Sequence, residues 1–137
     1  MKTLLARVRA CSVSLGALGA LCALTTLAGC AADFDHTEIT NVKGSQPFPG
    51  TMTYARIVVP VGMVVTAHIV SYDSDHKSMD MGLQSKDTRV VEVEPVVSAN
   101  DYAFFGLTPG STDVELTAAG RVVLIVTAVV TDQPSLP

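Results

Sequence analysis

"YAFFGLTPGSTDVELTAAGRVVLIVTAVV", from Tyr102 to Val130, is the stretch that decides the fold. Tyr102 to Phe105 make a short aromatic strand, and Pro109-Gly110 then turns the chain. After the turn, Val114 and Leu116 alternate with Asp113 and Glu115, the period of two expected of a strand with one buried face. Ala119-Gly120 reads as a tight hairpin. The segment from Arg121 to Val130 is apolar on both faces, as suits a central strand with sheet or partner on each side.

Working upstream, the same chemistry recurs. "TYARIVVP" and "VGMVVTAHIVSY" are rich in β-branched and aromatic residues, with Pro60 and Gly62 marking a break between two strands. In the second of these, Val61, Met63, Val65, Ala67 and Ile69 share the better core face. "DSDHKS" is a polar turn, "MDMGLQS" alternates again, and "TRVVEVEP" points Val91 and Val93 inward with Glu92 and Glu94 outward. Pro95 ends that strand or puts it at an edge. The count is about seven short strands with turns every ten or so residues, and no segment has a helical period. The expectation is an all-β sandwich occupying residues 51–137. Residues 31–50, "AADFDHTEITNVKGSQPFPG", are polar and close on Pro47, Pro49 and Gly50, so 30–50 reads as a linker or an irregular first strand.

Two stretches, "LQSKDTRVVEV" and "FFGLTPGSTDVELTAAGRVVLIVTAVV", resemble bacterial immunoglobulin-like domains of the group 2 kind, found in cell-surface and adhesin proteins. The likeness covers about Arg56 to Val130 and lies in turns and strands rather than in chemistry. It implies an immunoglobulin-like β-sandwich with a structural or protein-interaction role. The chain has no Trp, so Leu83 is expected at the core position where that family often carries one. The "GLTPGSTDVEL" segment is also similar to the small amino-terminal domain of pilus-associated secretins. That second likeness implies an alternative role as accessory subunit of a secretion or pilus machine.

The amino terminus is of a different nature. Lys2, Arg7 and Arg9 precede a stretch from Ala10 to Gly29 that holds no charged residue. Its length would allow a membrane span, which takes about 20 apolar residues, but serines, glycines and threonines dilute it. Small residues gather at its end, as at a signal-peptide cleavage site. Leu27, Ala28, Gly29 and Cys30 resemble a bacterial lipobox. The resemblance implies that residues 1–29 are removed, that cleavage falls between Gly29 and Cys30, and that Cys30 carries the lipid holding the protein on the membrane. One acyl chain anchors marginally and several anchor firmly. Ala31 in place of Asp implies sorting to the outer membrane.

Cys11 and Cys22 lie in the segment to be removed and Cys30 in the lipid site, so no disulfide can support the fold. Three of the nine Lys and Arg are also removed, leaving six against 13 Asp and Glu, a net charge of about −7. Such a surface repels phosphate backbones, and nucleic acid is excluded as a partner. The expected partners are the membrane, through Cys30, and an envelope protein or cell-wall component.

Few residues suggest chemistry. Asp73, Asp75, His76 and Asp80 share one loop, with His68 on the strand before it. A calcium loop of the EF-hand type would need an acid and a glycine where Lys77 and Ser78 stand, so a solvated hairpin tip is the expected state. Asp73, Asp75 and His76 are the weak candidates for a metal. No Gly-x-Ser-x-Gly elbow is present, and neither a catalytic residue nor a cofactor is expected. Tyr102 and Phe105 could form a recognition patch if their strand lies at an edge, with Phe104 in the core.

Overall fold

A computed structural model describes residues 33–47 and 49–132. Nine strands follow one another: β1 (Phe34–Gly44), β2 (Thr51–Met52), β3 (Arg56–Pro60), β4 (Val64–Asp73), β5 (Met81–Ser85), β6 (Val91–Pro95), β7 (Asp101–Gly106), β8 (Gly110–Ala118) and β9 (Arg121–Thr131). They form a sheet of four, ordered β1-β4-β7-β6, and a sheet of five, ordered β2-β3-β9-β8-β5. All pairings are antiparallel except β3 with β9, which run parallel. This is the immunoglobulin-type arrangement, in which the first, second, fourth and fifth main strands form one sheet and the third, sixth and seventh the other.

The core lies between the sheets, and strand alternation selects it. Val65, Ala67 and Ile69 of β4 face Ile57 and Val59 of β3, Val114 and Leu116 of β8, and Val126, Ala128 and Val130 of β9. Phe104 of β7 is fully buried among them. Leu83 is half-buried against the same cluster, at the position expected to stand in for Trp. Val91 and Val93 point inward from β6 while Glu92 and Glu94 are exposed, and Pro95 closes a strand at the sheet's edge.

The seven strands expected from the sequence are β3 to β9. Of the two further strands, β2 lies within residues 51–137, whereas β1 decides between the two readings of residues 30–50: it is a strand of the sandwich, which among the described residues begins at Phe34 rather than at Thr51. β1 is the irregular first strand, broken twice in register, between Phe34 and His36 and between Thr40 and Lys43. Only Thr37 and Ile39 need face the interior, where they pair with Ser71 and Ile69, so little of the strand is apolar. Between β1 and β2 the chain crosses to the other sheet and passes so close to Val58 and Val65 that a Cβ on Gly50 would overlap both. Glycine is required there by close approach. In the β8–β9 hairpin, Ala119 at φ 48° and Gly120 at φ 74° form a two-residue turn of the primed kind, whose twist matches the strands it joins.

Candidate functional site

Two groups of polar side chains converge on the outer face of the four-stranded sheet. The first lies at the second irregularity of β1, where Asn41, at φ 52°, and Val42 together oppose Ala67. A bulge of this kind bends an edge strand and re-aims its side chains. The result is an open groove of about 300 Å³ lined by Asn41, Lys43, Thr66, Ala67, His68, Val96 and Asp101. Register places His68 directly across from Asp101. Their side chains meet at 2.6 Å, with His68 Nδ1 donating to Asp101 Oδ1, since a carboxylate can only accept. The pair is about one-third exposed on each side.

A His–Asp pair is two-thirds of a hydrolytic triad, but the nucleophile is missing. No serine or cysteine lines the groove, and the Thr66 hydroxyl makes no hydrogen bond to the imidazole. The arrangement suits binding of a small polar group rather than acyl transfer.

The second group lies where β1 begins. His36 Nδ1 donates to Asp35 Oδ2 at 2.7 Å, and its Nε2 lies 3.7 Å from Glu38 Oε1. Its ring stacks on Tyr72 at 5.1 Å and meets His76 edge-on at 6.2 Å. The hydrogen bond to Asp35, with a lesser contribution from Glu38, raises the His36 pKa above its ordinary value. A raised value means that protonated His36 favours the folded chain below the ordinary imidazole pKa, an effect lost as pH rises through the folded-state value. Proton NMR titration should therefore find His36 titrating above 6.5, the value of a free imidazole. Asp35→Asn should lower it, and an unchanged titration would refute the assignment.

The metal candidates resolve into a turn. Asp73 Oδ1 accepts the backbone N–H groups of Asp75 and Lys77, both at 2.9 Å, and Lys77 Nζ lies 3.8 Å from Asp75. His76 sits at φ 59° at the tip. Among the described residues no three His, Cys, Asp or Glu side chains are placed to hold a metal ion. Asp80 instead lies near Tyr102, whose phenol is raised in pKa first by burial and then by that charge.

The aromatic patch needs correction. β7 runs between β4 and β6 rather than at an edge. Tyr102 is only 9% exposed and belongs to the core, and Phe105 is half-buried on the outer face. A recognition surface built on Tyr102 is therefore not available. Gly29 and Cys30 lie outside the described residues.

The chain shares its fold with domains of a surface-layer protein. Domains 1–6 of the S-layer protein SbsC match over 73% of this chain and 14% of that one, with 14% identity and a TM-score of 0.50. Domains 4 and 5 of the same protein match over 70% of this chain and 54% of that one, with 16% identity and a TM-score of 0.49. The likeness is one of fold. No family model matches the sequence, and no curated protein is similar to it.

Sequence reasoning placed His68 on the right face of its strand but not beside Asp101, 33 residues away. His36 falls in the stretch read as a linker or an irregular first strand. The His68–Asp101 pair and the stacking of His36 on Tyr72 have no local signal, because each is created by register between strands, whereas the His36–Asp35 contact joins neighbours in sequence.

Proposed function

We propose that the protein is a non-catalytic module of the cell envelope, anchored through lipid on Cys30 at the outer membrane and offering an immunoglobulin-type sandwich for structural or protein contacts. The observation that carries this reading is the placement of the two ends of the described sandwich. Asp33, three residues after Cys30, accepts a hydrogen bond through its carbonyl from Ser74 N–H at the β4–β5 turn. Thr131 accepts one from Val61 N–H at the β3–β4 turn, at the opposite end of the sandwich. The ten residues of β4 separate these ends by roughly 30 Å. An anchor at Cys30 then turns the acidic β4–β5 loop to the bilayer and projects the β3–β4 end away from it. The fold shared with SbsC domains agrees with an envelope role.

Crosslinking in intact cell envelopes, followed by mass spectrometry, tests the reading through Lys43 and Lys86, both on the body of the sandwich. Envelope proteins or cell-wall material are the expected partners. A secretin ring among them would favour the accessory-subunit role, and recovery of cytosolic proteins alone would overturn the proposal.

A further inference from the structure

The outer face of the five-stranded sheet carries an uncovered apolar stripe along β9. Val122 is 49% and Ile125 53% exposed, and Val129 and Val58 lie half-buried beside them. β9 is an interior strand, so neighbours on both sides explain its hydrogen bonding but not its apolar outer face. Something of complementary shape would be needed to cover that face.

The row of residues across the stripe identifies the occupant. Arg56 of β3 pairs with Thr127 of β9, and Thr127 pairs with Asp113 of β8. All three are exposed, and alternation aims them outward. Adjacent strands lie about 4.8 Å apart, so Arg56 and Asp113 stand roughly 10 Å apart on opposite sides of the stripe. Thr127 Oγ1 donates to Asp113 Oδ1 at 3.2 Å and holds that carboxylate in place. The Arg56 guanidinium has no acidic partner among the described residues.

We infer that this face binds a second copy of the chain, related by a two-fold axis running along β9. Such an axis exchanges left and right across the stripe while preserving height along it. Arg56 of each copy therefore meets Asp113 of the other, giving two equivalent ion pairs around a centre of Ile125, Val122 and Val129. In a two-fold interface each contact occurs twice with the roles exchanged, which is what a cationic flank and an acidic flank at one level provide. Setting the axis across the strands instead would put Arg56 against Arg56 and Asp113 against Asp113. Charge therefore selects the parallel arrangement as well as the partner. The inference does not depend on the lipid anchor.

Sedimentation equilibrium of the full chain in detergent tests it. The wild type should dimerise. Arg56→Asp and Asp113→Arg should each weaken dimerisation about tenfold, since two rim ion pairs become two repulsions. The double variant, Arg56→Asp with Asp113→Arg, should return to within about threefold of wild type, because the symmetry restores both pairs. Rescue by the double variant cannot arise from misfolding or from two chains sharing a micelle, neither of which depends on charge order. Ile125→Asp should give monomers. A monomeric wild type, a double variant no better than the singles, or a different protein bound at this face would overturn the inference.

Discussion

Phe104→Ala is expected to destabilise the protein by about 3–5 kcal/mol, the range for removing a large aromatic side chain from a packed core. Phe104 lies at the centre of β7, opposite Val65 on one side and Val93 on the other, and has no solvent exposure. The ring is the largest fully buried side chain in the molecule's described part. Its loss leaves a cavity walled by strands, whose hydrogen-bonded ladders limit collapse. A domain of this size has about 5–15 kcal/mol of stability in all, and no cysteine lies among the described residues to crosslink the sandwich. Much of the population should unfold under mild conditions. Urea denaturation provides the measurement, with Phe105→Ala as the comparison. Phe105 is half-buried on the outer face, and its loss should cost on the order of 1 kcal/mol. If the Phe105 variant were the less stable of the two, the assignment of faces along β7 would be wrong.

Cys30→Ser, made with residues 1–29 replaced by a secretory leader that is cleaved without lipid, is expected to move the protein from the membrane to the soluble fraction after cell breakage. The reason is additive: each buried methylene contributes about 0.8 kcal/mol, so several acyl chains hold essentially every molecule while an unmodified chain has none. No compensating attraction is expected, because residues 30–137 carry six Lys and Arg against 13 Asp and Glu. Two of these acids, Asp73 and Asp75, flank Ser74, which hydrogen-bonds to Asp33. The described residues begin at Asp33, and thermal unfolding of that domain should be unchanged. Mass spectrometry of the wild type should find an amino terminus at Cys30 bearing acyl mass. A wild-type amino terminus at Met1, or a serine variant that stays with the membrane, would defeat the anchoring proposal.

Reading the sequence recovered what is local. Alternation of Val114 and Leu116 with Asp113 and Glu115, the Ala119-Gly120 hairpin and the inward set on β4 all stand as expected. Each depends only on residues close in the chain, because successive side chains of a strand point to opposite faces and a tight turn is set by two residues. The irregular edge strand β1 was half visible. An edge strand buries one face against a single neighbour, and Thr37 and Ile39 are too few to make an alternating pattern stand out from a polar stretch.

The amino-acid order by itself determined an all-β fold, its seven principal strands and the core-facing side chains of β4, β6 and β8. Those properties follow from short-range geometry and the removal of apolar surface from water. Tertiary structure alone decided that β3 lies parallel to β9, that β7 is interior and so takes Tyr102 into the core, and that His68 meets Asp101. It alone set Arg56 and Asp113 at one level on either side of Thr127. The physical reason is that hydrogen-bonded pairing joins residues tens of positions apart through backbone groups that every residue shares, so the partner of a strand is written in the packing of the whole and not in the strand.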